Sequence, residues 1–396
     1  MSKPTVISTL SEFLSDEEIK GISAVKGHAR PHPVHLLLER EDGRSQHRAN
    51  VDRALKQVSL INSAWLNQLK ARVIGANHAD ASAALAEIRA HGALLEAGFS
   101  VQPVPTSKKA TPEFLVKDGE AEFVVEVHAK QQNLDTEKEL EVARKTIHEE
   151  KLSPGEIRTH VAYVHPWGRP RRHKKSDSTT TNAISKICSI KENEHQLRAD
   201  IPSIVWMDFQ DLHSSDMALT PDQFRPIMSS RENLTSGAIY YALYGWNGAP
   251  VYEELHYSHL ELPSQIQWMM HDGRFLLSDL TSAVIVSLPA ATILAETPKR
   301  SRQLPSAVRL RCLGLPHFGM QDSIAEWIPG LVGKVLTANA ELICGLVEQK
   351  VPVKYIRFAR DVHSATNPLG KRIAMGIGAA FFVGLAVRQL FRRKSR

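Results

Sequence analysis

The clearest pattern in the chain is the stretch TPEFLVKDGEAEFVVEVHAK, Thr111 to Lys130. Apolar and polar positions alternate through it on either side of Asp118-Gly119, the signature of two short strands joined by a tight turn. With Asp118 and Gly119 as the loop residues, Lys117 faces Glu120, Val116 faces Ala121, Leu115 faces Glu122 and Glu113 faces Val124. Side chains then alternate between the two sides of the ribbon. Phe114, Val116, Phe123, Val125 and Val127 make one wholly apolar face, which must be core. Glu113, Val124, Glu126, His128 and Lys130 share the other.

Upstream, Ala81 to Ala97 repeats apolar residues at helical spacing. Ala84, Ile88, His91, Leu94 and Leu95 lie on one face, and Ser82, Arg89 and Glu96 lie opposite. Gly98 ends this helix and the sheet begins at Phe99. Most of the chain before it reads as helical, with Leu55, Val58, Ile61, Trp65 and Leu69 forming one stripe and a short strand at Val34 to Leu38. Downstream, a charged helix spans Thr136 to Lys151, a strand His160 to Val164, and a helix follows Thr180. The apolar runs IPSIVWMDF (from Ile201), GAIYYALYGW (from Gly237) and SAVIVSLP (from Ser282) read as buried strands, and Leu331 to Val351 as another helix. Strands alternating with helices predict an α/β fold, a central sheet flanked by helices.

Composition narrows the class without naming a task. The 396 residues are 42% hydrophobic and 23% charged, an ordinary globular balance with room for two or three domains. A formal charge of +6 and a pI near 9.1 favour polyanionic partners. The charge is concentrated: Arg169, Arg171, Arg172, His173, Lys174 and Lys175 fall in one short run, a candidate phosphate-contacting loop. Cys188, Cys312 and Cys344 are widely spaced, against a disulfide framework or a zinc ribbon and for a reducing compartment. The opening MSKPTVISTLSEFLSDEE is too polar and acidic for a secretory signal, so a cytoplasmic body is expected. No nucleophile elbow or dinucleotide fingerprint occurs, and Gly330 to Lys334 lacks the spacing of a phosphate loop.

The candidate chemistry lies on the polar face of the hairpin. In the register above Glu126 is diagonal to Glu113, about 7–8 Å away at the backbone, which two Glu side chains can close. Glu87 falls inside the apolar face of the preceding helix, where a carboxylate is costly unless paired or bound to a cation. A place at the stripe's edge from which it snorkels, or pairing with His91 four residues on, is one kind of explanation. Joining the two hairpin acids is the other. Three carboxylates from separate elements meeting beside a cation would suit a hard divalent metal.

These residues resemble the core of the PD-(D/E)XK nuclease superfamily, in which an acid follows a proline, a hairpin intervenes, and acid-x-lysine lies on the next strand. Pro112-Glu113 matches the first element and Glu126-Val127-His128 the second, while Ala86 to Phe99 is similar to the preceding helix that often supplies a third acid. Glu113 replaces the usual Asp and His128 the usual Lys, with Lys130 one step further along the same face. The resemblance is close over Ala81 to Lys130 and loose beyond. It implies a restriction-endonuclease-like mixed central sheet and Mg²⁺- or Mn²⁺-dependent hydrolysis of phosphodiester bonds, in DNA before RNA. Glu87, Glu113 and Glu126 would be the metal ligands, and His128 or Lys130 would stand for the family's lysine. The implied organisation is a helical N-terminal region over 1–76, a nuclease-like domain over 77–290, a helical extension over 291–365 and a tail over 366–396.

Within that tail, Ile373 to Val387, including Phe381 and Phe382, carries no polar side chain on any face and is flanked by basic residues. A helix over it spans only about 22 Å, short of the roughly 30 Å hydrocarbon core, although Leu390, Phe391 and a snorkelling Arg388 extend it. The basic flanks favour a membrane anchor over a buried terminal helix. The rivals to a nuclease are therefore a catalytically inactive nuclease-fold protein that binds nucleic acid, and a membrane-tethered interaction module.

Overall fold

The computed structural model describes residues 6–23, 31–38, 46–105, 111–130, 179–189, 197–210, 221–225, 227–230, 233–252, 255–256 and 266–318, with isolated helical positions at 138, 142 and 146. Among the described residues, five helices come first: α1 (Leu10–Phe13), α2 (Asp16–Ser23), α3 (Pro33–Leu38), α4 (Gln46–Ile61) and α5 (Ser63–Val73). The expected strand at Val34 to Leu38 is thus a helix, with proline in its first turn, where a missing N–H is harmless. These helices enclose one apolar cluster with Ala84, Leu85 and Ile88 of α6 (His78–Glu96).

Helix α6 is the joint of the molecule. Asn77 caps its start by accepting from the Ala79 and Asp80 N–H groups. Its end is a Schellman motif: Gly98 has φ 86°, its N–H reaches Leu95 O, and the Phe99 N–H reaches Leu94 O. The expectation that Ser82 and Arg89 lie on a polar side fails, because both are buried. The sheet packs against part of α6, and α4 and α5 pack against the rest. At the α4 crossing, a Cβ on Gly92 would come within 2.4 Å of the Ala54 Cα. Gly92→Ala is therefore expected to destabilise the protein by about 1–3 kcal/mol in urea unfolding. That is the opposite sign to the gain of about 1 kcal/mol that helix propensity alone predicts.

The central sheet holds β1 (Ser100–Pro103), β2 (Phe114–Asp118), β3 (Ala121–Ala129), β4 (Ser203–Asp208), β10 (Thr281–Leu288) and β11 (Ala291–Glu296), side by side in that order. β1, β2 and β3 are antiparallel neighbours, β3, β4 and β10 run parallel, and β11 returns antiparallel. Between β4 and β10 come short strands in separate two- and three-stranded sheets, β5 (Ile227–Ser230), β6 (Asn233–Ser236), β7 (Pro250–Tyr252), β8 (Leu255–His256) and β9 (Ile266–Trp268). The run from Gly237, expected as a strand, is instead helix α8 (Ala238–Tyr244). A short apolar run does not distinguish a buried strand from a buried helix.

Both faces of the sheet are covered. Phe114, Val116, Phe123, Val125, Ile204 and Trp206 pack against α6 and α10 (Ser306–Cys312). Val205, Met207, Val284 and Val286 pack against α7 (Thr179–Cys188) and α8, with Phe275 of α9 (Arg274–Leu277) in the same cluster. Being enclosed on both sides explains why β4 and β10 read as continuous apolar runs. The molecule is an α/β protein with a mixed, open central sheet between helical layers. The boundary expected at 290 falls inside the β10–β11 hairpin, so the segment expected as a helical extension from 291 begins as a sheet strand. The helix expected over Thr136 to Lys151 lies largely, and the strand His160 to Val164 wholly, outside the described residues. So do the basic run with Arg169, Arg171, Arg172, Lys174 and Lys175, the helix from Leu331, and the tail with Ile373, Phe381, Phe382 and Val387. Among the described residues, no helix is long and apolar enough to cross a membrane.

Candidate functional site

The hairpin forms, but in a register two residues from the expected one. Asp118 pairs with Ala121 and Phe114 with Val125, so the loop residues are Gly119 and Glu120. Gly119 takes φ 62° at the first loop position, where a primed hairpin turn requires a left-handed residue. A shift of two residues preserves both faces, because the side-chain period is also two. Its consequence is local and favourable: carried one residue past Phe114, the register sets Glu113 directly opposite Glu126 rather than diagonal to it.

The two carboxyl groups meet. Glu113 and Glu126 share a hydrogen bond, and the Val127 N–H donates to Glu113 Oε2 at 2.9 Å. β2 ends at Phe114, so Glu113 supplies the acceptor that Val127 would otherwise have taken from a neighbouring strand. Burial pushes the Glu113 carboxyl above its ordinary value, against the lowering effect of its hydrogen bonds to Glu126 and Val127. Two carboxyl groups this close disfavour each other's ionised form. Glu126 is only 3% exposed and pairs across the ladder with Val205. Solvent does not compensate a carboxylate there.

Glu87 comes close enough for Glu113 to raise its pKa. Its own partner is Arg72 of α5, not His91: one guanidinium nitrogen donates to both Glu87 oxygens at 2.9 and 3.0 Å, and Arg72 Nε donates to Asp80 at 2.8 Å. Burial lifts Glu87 to about 7, with Glu113 adding to the rise and Arg72 opposing it. His91 accepts from the Asn62 side-chain amide and stacks edge-on against Trp65, as a core residue.

His128 and Lys130 follow Glu126 along β3 on the same face. His128 Nε2 stands 3.6 Å from Glu126 Oε1, and burial lowers the imidazole to about 3, helped by Lys130 and by Arg274 of α9. His128 is therefore neutral at physiological pH. The Lys130 amine donates to Ser189 O at the end of α7. Arg274, 1% exposed, carries a positive charge into the site from a part of the chain where no pattern marked it.

Sequence reasoning also missed Arg89 and Asp208, which form a wholly buried two-point ion pair between α6 and the end of β4, at 2.9 and 2.8 Å. An acid closing the apolar run SIVWMD was the available signal for Asp208. Arg89 had none, since its helical position looked solvent-facing. Arg72 likewise depends on a contact between helices.

The donors fit a hard divalent cation in kind. Glu113 and Glu126 offer adjacent carboxylate oxygens on a buried sheet face. The third oxygen donor, Glu87, is committed to Arg72. Among the described residues, no group of three or more His, Cys, Asp or Glu stands ready to hold a metal. Comparison with family models, with curated proteins and with solved structures gave no match.

The site imposes a pH dependence on stability. His91, like His128, is held at about 3 by burial, whereas an unfolded histidine titrates near 6.5. The unfolded chain therefore binds more protons below 6.5, and stability falls as pH drops from there towards 3. Glu87 acts in the opposite sense: raised from 4.5 to about 7, it removes stability as pH rises through that interval. Below about 4.5 Glu87 no longer contributes to the slope, and of these three groups only the two histidines do. His91→Gln, which cannot protonate, is expected to reduce the slope of unfolding free energy against pH there by up to about 1.4 kcal/mol per pH unit. Urea titrations of both proteins at several acid pH values measure it.

Proposed function

We propose that this chain is a metal-dependent nuclease of the PD-(D/E)XK type, hydrolysing phosphodiester bonds in DNA. The observation that carries the reading is the direct opposition of Glu113 and Glu126 across the β2–β3 hairpin, with Glu87 of the preceding helix near enough to Glu113 for its charge to act on it. A proline precedes the first acid, and two residues after the second stands His128, where the resemblance has lysine. A restriction-endonuclease-like sheet is part of the same proposal.

In this reading Glu113 and Glu126, joined by Glu87, hold Mg²⁺ or Mn²⁺ through carboxylate oxygens. When bound, the cation supplies a Lewis acid that lowers the pKa of a water and offsets charge on the phosphoryl oxygens. Of the two stand-ins for the lysine, His128 is the better placed to orient a water beside Glu126. A pKa near 3 makes it a poor proton acceptor at neutral pH, so its contribution is position rather than proton abstraction. Lys130 and Arg274 add positive potential around it. The basic run Arg169, Arg171, Arg172, Lys174 and Lys175 supplies the phosphate contacts that hold DNA in register.

A second reading rests on the pairing of Glu87 with Arg72 together with the neutral His128: a nuclease-fold protein that binds nucleic acid, or serves at a membrane through its C-terminal segment, without cleaving. Incubating the purified protein with supercoiled and linear DNA, with EDTA, Mg²⁺ or Mn²⁺, separates the two. Nicking that requires the divalent ion supports the nuclease. DNA retention without nicking under every condition supports the inactive form.

A further inference from the structure

We propose that Arg72 is the resident counter-ion of this acidic site, and that a divalent cation enters by displacing it from Glu87. The inference rests on the metal-dependent reading above and adds a residue that sets the site's affinity. Arg72 holds both oxygens of Glu87 through one nitrogen while its Nε holds Asp80. Its charge also acts on Glu113. A cation is thus already seated where the third ligand must turn.

The geometry provides a way out. The Arg72 side chain is 37% exposed and its Asp80 partner 44%, whereas Glu87 is 12% exposed. Glu87 is the buried partner and Asp80 the open one. The guanidinium can therefore release Glu87 and remain anchored on Asp80, turning outward with its own charge still compensated. Glu87 then becomes a free carboxylate beside Glu113. In the closed arrangement Arg72 repels any divalent ion and occupies one of its ligands, so cation binding must overcome both effects.

Mn²⁺ titration of the full chain by calorimetry, at a pH well above that at which Glu87 ionises so that a proton does not take the place of Arg72, tests this, with melting curves run alongside. Arg72→Gln removes the competitor and is expected to bind Mn²⁺ on the order of tenfold more tightly, equivalent to about 1.4 kcal/mol. Its melting temperature, lower than wild type without metal because Glu87 is left unpaired, should rise further on adding Mn²⁺. Arg72→Lys, which keeps the charge but loses the two-sided grip, should fall between the two and provides the comparison if the glutamine variant does not fold. Equal or weaker Mn²⁺ affinity in the folded Arg72 variants overturns displacement and leaves the metal site standing. Absence of Mn²⁺ binding in the wild type and every variant overturns the metal-dependent reading and this inference with it.

Discussion

Glu126→Gln is expected to lower divalent-ion-dependent DNA cleavage by at least about 100-fold while the protein remains folded. The substitution preserves volume and one hydrogen-bonding oxygen, so packing beside Val205 is undisturbed. It removes a carboxylate from a position 3% exposed, where water does not take its place. A cation's contribution to the transition state is several kcal/mol, and each 1.36 kcal/mol is a factor of ten in rate. Glu126→Gln should also melt no lower than wild type in EDTA, since relieving a buried acid pair favours the folded state. Rates of plasmid nicking at matched concentration, with circular dichroism on the same samples, provide the measurement. Undiminished nicking by the variant would assign the activity to a contaminant and remove Glu126 from the site.

Asp208→Ala should cost about 3–5 kcal/mol of stability, because it strands the Arg89 guanidinium in a protein interior. The pair is sealed: the two side chains are 2% and 0% exposed, and Asp208 also accepts the Gln210 N–H. The desolvation cost of both ions is met only while both are present, so the loss of one leaves the other charge uncompensated. The double variant Arg89→Met, Asp208→Leu is expected to be far milder than either single change. Urea unfolding of the three variants measures this, and additive single-site losses in the double variant would show that the pair is not coupled. The pair joins α6 to the end of β4, so it also holds the helix that carries Glu87 against the strand beside Glu126.

The hairpin shows how far local patterning reaches. Its two faces were legible because alternation depends only on the backbone's period of two. The loop position was not, because Asp118-Gly119 and Gly119-Glu120 both place a glycine in the turn. Only the pairing of Phe114 with Val125 distinguishes them. The strands at Ser203–Asp208 and Thr281–Leu288 were equally legible, being apolar runs of strand length between turn residues. Ala238–Tyr244 had the same signature and folds as a helix against α7, which shows that an apolar run reports burial before it reports conformation. In α6, periodicity marked the face turned to the core but could not anticipate a second core on the other side, so Ser82 and Arg89 were misplaced.

For the candidate site, sequence alone determined which residue types stand on which face: Glu113, Glu126, His128 and Lys130 together, Glu87 on a helix beside them, and an α/β frame beneath. Strand alternation and helical angle are local properties of the chain, and local properties can be read in order. Tertiary structure decided the partners. It set Glu113 against Glu126, gave Glu87 to Arg72 and Asp208 to Arg89, and brought the charge of Arg274 to His128. Those contacts join elements whose approach depends on how three apolar clusters pack at once, and no spacing along the chain encodes it.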